Sequence, residues 1–150
     1  MRAFLRRVNH AVVSVDRIEV GKIEHGLLVF LAFQKEDREE DLDWLCRKIL
    51  GVQLFDDENG QMKLPISPEM GILVISQFTL YGNLKKGFRP SFHRAASSSF
   101  AKNKYYDFVD SLKSLFKGKV EKGIFGEEMS ILAEDFGPAS LWLDSKDKDY

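Results

Sequence analysis

The chain has 150 residues and a mass of 17.2 kDa, with 22 basic against 23 acidic side chains and a formal net charge of −1. This length suits a single domain over residues 1–150, and 44% hydrophobic with 12% aromatic residues excludes a disordered chain. The longest apolar run, residues 26–33, is far shorter than the roughly 18 residues of a membrane helix. The amino-terminal residues also lack the features of a signal peptide, so we expect a cytoplasmic protein without a membrane partner.

The cysteine and histidine content excludes the commoner metal sites. Cys46 is the only cysteine, and His10, His25 and His93 are scattered without a metal-ligand spacing. Neither an internal disulfide nor a structural zinc site is therefore expected, and we predict no metal and no cofactor. The balanced charge gives no general argument for nucleic-acid binding, although a basic patch on one face is compatible with it.

The first third of the chain predicts three strands followed by a helix. Residues 3–33 are apolar or alternating, with turn signals at residues 16–17 and 24–26, which is typical of a β meander. Apolar side chains at i, i+3, i+4, i+7 and i+8 then predict a helix over residues 42–50. Acidic residues before it suit a helix N-terminus, and Gly51 suits its end.

The middle of the chain predicts a hairpin, a buried strand and a loop. Asn59-Gly60 favours a type I′ turn, in which both central residues have positive φ. Residues 71–75 form a continuous apolar run typical of a buried strand. Residues 83–94 are rich in glycine, proline and cations, which indicates a loop.

The last third predicts a second helix and two closing strands. An apolar stripe over residues 100–116, with serines at 97–99 available as its N-cap, predicts the helix. Residues 129–133 and 139–143 are read as two strands separated by Asp135-Phe-Gly-Pro138. The sequence thus predicts an α/β protein, a strand-rich domain of largely antiparallel sheets packed with two helices.

The usual catalytic motifs are missing from the sequence. The first unusual feature is Ser76-Gln77-Phe78-Thr79, which places three hydrogen-bonding side chains directly after the apolar strand. These hydrogen-bonding groups either line a pocket at the strand end or lie solvated where the strand reaches the surface. Thr79 would be a nucleophile only beside an activating base, and the sequence provides no adjacent histidine or lysine.

A second feature is the Gly137-Pro138 dipeptide between apolar segments. Proline lacks a backbone donor and glycine accepts unusual dihedral angles. The pair could therefore present backbone carbonyls in a fixed direction, particularly as a cis peptide. The alternative is an ordinary turn.

A third feature is the cationic loop at residues 85–90, which contains Lys85, Lys86 and Arg89 beside the aromatic Phe88. Cations interleaved with aromatic rings can hold the phosphates and stack the bases of a single-stranded RNA end. A solvated basic loop is the alternative.

Together these motifs resemble the D-aminoacyl-tRNA deacylase family, also called D-tyrosyl-tRNA(Tyr) deacylases. The resemblance runs nearly end to end, with several separate motifs in the same order. They are Met-Arg-Ala-x-x-x-Arg-Val at 1–8, Ser-Gln-Phe-Thr-Leu-Tyr at 76–81, Lys-Gly-Phe-Arg-Pro-Ser-Phe at 86–92, Phe-Gly at 125–126, Met129 and Gly-Pro at 137–138.

This resemblance implies a β/β/α-layered homodimer with active sites at the subunit interface. The Gly137-Pro138 peptide, cis in the family, would enter the partner's site, and Arg7 would orient its carbonyls. These carbonyls would exclude an L side chain while admitting D-amino acids and glycine. The implied role is proofreading in translation, including removal of glycine from mischarged tRNA.

The implied chemistry is metal-independent hydrolysis of the ester between the amino acid and the terminal adenosine of tRNA. The amides near Phe78 and Thr79 would stabilise the oxyanion, and the terminal 2′-hydroxyl of the RNA would assist water. Ser76 and Gln77 would position the adenosine or the aminoacyl group, and Met129 would line the pocket. The implied partner is tRNA, contacted by the cationic loop, and not DNA.

This chain departs from the family on both sides of the Gly-Pro dipeptide. The family usually has Asn-Asp before and Val-Thr after the Gly-Pro dipeptide, where this chain has Asp135-Phe136 and Ala139-Ser140. The charged tail, residues 145–150, is expected to fray.

Two rival functions remain open from the sequence. They are a non-catalytic module that binds an RNA end and an esterase with Thr79 as its nucleophile.

Overall fold

The computed structural model describes residues 1–149. Over that range the chain forms strands, helices and a 3₁₀ turn in this order: β1 (Arg2–Val15), β2 (Ile18–Ile23), β3 (Gly26–Ala32), α1 (Glu39–Gly51), β4 (Phe55–Asp56), β5 (Met62–Leu64), β6 (Gly71–Ser76), the 3₁₀ turn (Phe78–Tyr81), α2 (Ser98–Leu115), β7 (Lys119–Lys122) and β8 (Ser130–Asp144). The predicted meander and both predicted helices are present, and the α/β fold class is confirmed. No helix within residues 1–149 is long and apolar enough to span a membrane.

The long first strand organises the main sheet. β1 pairs antiparallel with β2 and β3 on one side and with β8 on the other. β6 then pairs parallel with β3, and β7 pairs parallel with β6. The sheet is therefore mixed, because its second half is parallel, while the short β4–β5 hairpin stands apart.

The two faces of the sheet support two separate hydrophobic cores. Successive residues of a strand point to opposite faces, so Leu27 and Val29 of β3 pack with the helices, including Leu45 and Phe108. Leu28 instead belongs to a second core built from β1, β2 and β6. The second core therefore lies on the face of the sheet opposite to the helices.

The predicted caps and core of α1 are explained by local contacts. The Asp41 carboxylate accepts a hydrogen bond from the Arg38 amide at 2.8 Å, which satisfies one of the unpaired donors at the helix start. Cys46 is fully buried in the first core, and burial raises the pKa of its thiol to about 12. This cysteine is therefore a packing residue rather than a nucleophile.

The expectation of two closing strands separated by a turn is wrong. β8 is one continuous strand, but its register against β1 shifts where Arg6 faces Ser140 and Val8 faces Asp135. Residues 136–139 of β8 thus lie opposite Arg7 alone. We call this segment the Gly-Pro bulge; proline cannot donate to the ladder, so a bulge accommodates it in a strand.

The predicted type I′ turn at Asn59-Gly60 is also wrong. Between β4 and β5 only Gly60 has a positive φ, of 72°, because the Asp57 carboxylate holds a wider loop by accepting from the Asn59 and Gln61 amides. The two positive φ values of a type I′ turn occur instead at Asp16-Arg17, between β1 and β2.

The charged tail begins with anchored residues rather than frayed ones. Ser145 is buried, and its hydroxyl accepts from the Met1 amino group at 2.6 Å. Lys146 binds the Asp41 carboxylate at 2.5 Å. The expectation for Tyr150 falls outside the described residues.

Candidate active site

A cavity of about 590 Å³ lies beyond the carboxyl ends of β3 and β6. These strands are parallel neighbours, with Leu31 opposite Ser76, so both end at one edge of the sheet, where α/β proteins commonly bind ligands. The first turns of α2 and the segment before β8 close the other sides through Ser98, Ala101 and Met129.

The structure brings four predicted site residues to this cavity: Ser76, Gln77, Phe78 and Met129. Sequence reasoning missed Glu127, which is the only charged side chain among the described lining residues. Nothing in the sequence pattern singles it out, because it lies in a short irregular segment. The cavity is otherwise mainly apolar, which suits a side chain of varied size.

Thr79 is an exposed residue of the 3₁₀ turn and does not line the cavity. Its hydroxyl oxygen accepts a hydrogen bond from the Gln77 side-chain amide. The turn's first backbone bond runs from the Leu80 amide to the Gln77 carbonyl, so the amides of Phe78 and Thr79 precede it and have no partner within the turn.

An aromatic pair at the cavity rim connects the 3₁₀ turn with the cationic loop. The rings of Phe78 and Phe92 meet edge to face with centroids 5.0 Å apart, and Phe78 is 58% exposed. The loop between them is closed at its base by paired backbone bonds of Asn83 and Ser91, of 2.9 and 3.0 Å.

The cationic side chains lie exposed on this loop. Lys85, Lys86 and Arg89 do not line the cavity, but the loop that carries them begins just after the 3₁₀ turn and returns to the cavity wall at Ala95. Phe88, within the same loop, is fully exposed. The loop therefore lies beside the cavity mouth.

The Gly-Pro bulge is the second group of predicted site residues. Its Gly137–Pro138 peptide is cis and Gly137 has a φ of 117°. Arg7, only 4% exposed, donates to the Phe136 carbonyl at 3.0 Å and to the Leu54 carbonyl at 2.8 Å. Arg7 therefore ties the bulge to the segment before β4.

The residues that depart from the family also hold the bulge in place. Both oxygens of the Asp135 carboxylate accept from Arg6 at 2.9 Å. The Phe136 ring lies 4.6 Å from the Arg7 guanidinium and meets the His25 ring edge-on at 5.6 Å. Sequence reasoning missed this support, because Leu54 and His25 are far from the dipeptide along the chain.

The two groups of site residues are separate within one chain. Gly137 and Pro138 are exposed, and neither they nor Arg7 line the cavity that contains Ser76 and Met129. Within residues 1–149, no group of histidine, cysteine and acidic side chains is arranged to hold a metal. The polar side chains among the described lining residues are Ser76, Gln77, Ser98 and Glu127.

The chain is similar in sequence to one family of known proteins. A model described as D-Tyr-tRNA(Tyr) deacylase matches residues 4–144. Proteins named D-aminoacyl-tRNA deacylase from Thermosipho africanus and Aquifex aeolicus are each 46% identical, covering 97% and 98% of this chain and 98% and 99% of their own.

Solved structures give the same fold. One titled c-Myc DNA Unwinding Element Binding Protein superposes with a TM-score of 0.91 at 31% identity, covering 96% of this chain and 98% of its own. Another, titled a structural analysis of a probable eukaryotic D-amino acid tRNA deacylase, reaches 0.81 at 19% identity and covers 95% and 97%.

The family model and the named relatives define an ester hydrolase. The chain belongs to the D-Tyr-tRNA(Tyr) deacylase family. Members of this family carry the name of an enzyme that hydrolyses the ester bond of aminoacyl-tRNA.

Proposed function

We propose that the protein hydrolyses the ester between a D-amino acid and the terminal adenosine of tRNA, releasing the free D-amino acid and tRNA. The observation that carries this proposal is the exposed Gly-Pro bulge, which binds Arg7 but does not line the cavity of its own chain. We extend the proposal to mischarged glycyl-tRNA, because glycine has no side chain for the bulge to exclude.

The cavity supports the ester-cleavage step. When water attacks the ester carbonyl, negative charge develops on its oxygen, and the Phe78 and Thr79 amides are suited to donate hydrogen bonds to it. One preorganised donor of this kind is worth about 2.7–4 kcal/mol in the transition state. Ser76 and Gln77 would position the adenosine or the aminoacyl group, while Met129 contacts the bound amino acid.

The surroundings of Thr79 favour water activated by the RNA over a threonine nucleophile. A threonine needs a neighbouring base to become nucleophilic, but its hydroxyl oxygen here accepts from the Gln77 amide, which cannot take a proton. We therefore assign assistance of the attacking water to the 2′-hydroxyl of the terminal ribose. This assignment also favours tRNA over DNA as the substrate.

Rejection of L-amino acids is assigned to the Gly-Pro bulge of a second copy of the chain. In a homodimer the bulge of one subunit would enter the cavity of the other, and its carbonyl oxygens would crowd an L side chain at the α-carbon. A D side chain points away from them and is accepted. Such selectivity comes from repelling the wrong substrate.

The cationic loop supports binding of the acceptor end. Lys85, Lys86 and Arg89 lie exposed beside the cavity mouth, where they can neutralise phosphates, and Phe88 offers a ring for an unpaired base. The place of action we propose is the cytoplasm, where aminoacyl-tRNA is used.

The first test compares hydrolysis of D-tyrosyl-tRNA and L-tyrosyl-tRNA by the purified protein in the presence of a chelator. The assay is repeated with tRNA that ends in 2′-deoxyadenosine. We expect rapid loss of the D ester alone, slowed by the missing hydroxyl. Absence of cleavage would support a binding module instead, and equal cleavage of both esters would contradict the role of the bulge.

A further inference from the structure

A second cavity, of about 550 Å³, lies where the carboxyl-terminal half of α1 meets the end of β8. Trp44 and Gly51 lie on its α1 side, and Leu141 and Leu143 lie on its β8 side. It shares no lining residue with the candidate active site. We call it the tryptophan recess.

Two lysines lie over the half-buried indole of this recess, and a third cation lines the cavity. The ammonium groups of Lys48 and Lys148 lie 5.7 and 5.0 Å from the centroid of the Trp44 ring, and Arg47 lines the same cavity. The ion pairs among residues 1–149 involve none of the three cations.

This local charge contrasts with the rest of the molecule. The chain as a whole has a net charge of −1, yet no acidic side chain is found among the described residues that line the recess. Cations without an ion-pair partner beside a half-buried ring favour a ligand that combines negative charge with a flat face. A nucleic-acid strand has both.

We propose that the tryptophan recess binds phosphates of the tRNA acceptor stem while the acceptor end occupies the active site of the partner subunit. This inference rests on the proposed function, in which the Gly-Pro bulge enters the partner's cavity. Leu141 follows Pro138 by three residues, which is less than about 10 Å along the strand, because residues 136–139 lie opposite Arg7 alone. The recess of one subunit would then flank the active site of the other.

The distance suits the geometry of a nucleic-acid stem. A strand of duplex DNA advances about 3.4 Å for each phosphate, and by that spacing a separation below about 10 Å corresponds to no more than roughly three nucleotides. The cationic loop, on the subunit that supplies the cavity, would hold the unpaired end. The recess, on the subunit that supplies the bulge, would hold the following paired segment.

The test uses the Arg47→Ala/Lys48→Ala double variant of the full chain. Both side chains are exposed, so we expect the fold to persist. Against D-tyrosyl-tRNA at low salt, kcat/KM should fall about tenfold, and the slope of log affinity for tRNA against log salt should become shallower by one to two. Against the D-tyrosyl ester of adenosine, which has no stem, kcat/KM should not change.

The matched control is the Lys113→Ala/Lys117→Ala double variant. It removes the same charge from exposed positions near the end of α2, and Lys113 lies twelve residues, or about 18 Å, along the helix from the cavity residue Ala101. We expect wild-type kinetics and salt dependence with both substrates. An equal loss of tRNA binding in the control would reduce the effect to general charge and overturn the proposal.

Two further results would overturn the proposed role of the tryptophan recess. An unchanged tRNA slope in the Arg47/Lys48 variant, or an equal loss of activity on the adenosine ester, would overturn a role in stem binding. Binding of uncharged tRNA separates this proposal from the proposed function, because it needs no catalysis. If the wild type cleaves neither ester but the variant binds tRNA more weakly with a shallower slope, the proposed function fails and the recess assignment stands.

Discussion

Arg7 joins two segments that are distant in the sequence. Its guanidinium is buried, and it donates to the carbonyls of Leu54 and Phe136. It also lies 3.2 Å from the Asp56 carboxylate, which supplies the compensating charge that a buried cation needs. Arg7 therefore links the Gly-Pro bulge to the segment before β4, beside the support from Arg6 and His25.

Replacing Arg7 with alanine should destabilise the protein and relax its selectivity. The buried carbonyl of Leu54 and the part-buried carbonyl of Phe136 would lose a charged donor, and such hydrogen bonds contribute about 1.5–3 kcal/mol each. We expect the free energy of unfolding, measured with urea, to fall by about 3 kcal/mol or more. The ratio of D-ester to L-ester cleavage should fall with it.

The neighbouring Arg6→Ala variant is the control for this prediction. Arg6 pairs with Asp135 near the surface, where ion pairs contribute about 1 kcal/mol or less. A loss of stability as large as that of Arg7→Ala would show that the two arginines are equivalent and would contradict the assigned role of Arg7.

The role of Thr79 can be decided by a single substitution. Because its hydroxyl faces the Gln77 amide rather than a base, we expect Thr79→Ala to retain kcat within about tenfold of the wild type, the remaining loss reflecting misplacement of Gln77. Thr79→Val preserves the shape of the side chain and separates packing from hydroxyl chemistry. Loss of all turnover in both variants, with a trappable acyl-enzyme in the wild type, would establish the nucleophile instead.

At the scale of elements, the bulge in β8 requires glycine at position 137. The φ of 117° is one that other residues rarely adopt, and a Cβ there would lie 2.6 Å from the Arg7 guanidinium. We expect Gly137→Ala to displace the carbonyls of the bulge, so that L-tyrosyl-tRNA becomes a substrate while D-tyrosyl-tRNA is still cleaved. Paired kinetics with the two esters measure this change, and unaltered L rejection would contradict it.

The junction between α1 and the tail should be sensitive to acid. Burial acts to raise the pKa of the Asp41 carboxyl, but hydrogen bonds from Lys146 and from the Arg38 amide outweigh it, and the pKa falls from 3.8 to about 2. Because the folded protein favours the ionised form, this stabilisation is present above about pH 4 and is lost as the pH falls through 2.

Thermal unfolding between pH 5 and 2 provides the measurement. We expect the Asp41→Asn variant to have a lower Tm than the wild type at pH 5 and a smaller dependence on pH across that window. The difference between the two proteins should shrink toward pH 2. A constant difference over the whole range would contradict the assignment of the pKa to this pair.

Patterns within one element were readable from the sequence, whereas pairings between elements were not. The 3.6-residue period predicted α1, and apolar or alternating runs between turn signals predicted the first three strands. β7 was missed, because Lys-Val-Glu-Lys has one apolar residue and is specified by its pairing with β6. The bulge was predicted to be a turn, because a Gly-Pro dipeptide is found both in turns and in strand bulges. Only the register of β8 against β1 distinguishes the two structures.

Some residues of the candidate site could be predicted from local sequence patterns, and others could not. Ser76, Gln77 and Phe78 were found because polar residues directly after a buried strand are unusual, and the structure places them at a cavity. The bracing of the bulge by Leu54 and the presence of Glu127 in the cavity depend on folding alone. No local sequence pattern could have predicted either.

At the scale of the whole molecule, the separation of bulge and cavity is the main argument for a dimer. Phe136 is 40% exposed and Leu132 is 67% exposed on the same strand, and neither side chain gains from contact with water. A second copy would cover this edge and bring a bulge to each cavity. We expect light scattering to give twice the chain mass of 17.2 kDa.

A mixed dimer tests whether the bulge acts on the partner's cavity. One subunit carries Ser98→Trp, which fills the cavity mouth but leaves the bulge intact, and the other carries Gly137→Ala. In the mixed dimer the only open cavity would receive the intact bulge. We expect it to cleave D-tyrosyl-tRNA and reject L-tyrosyl-tRNA, whereas the Gly137→Ala homodimer cleaves both and the Ser98→Trp homodimer neither. If each bulge instead excluded L-amino acids from the cavity of its own subunit, the open cavity would be paired with the Gly137→Ala bulge. The mixed dimer would then cleave the L ester.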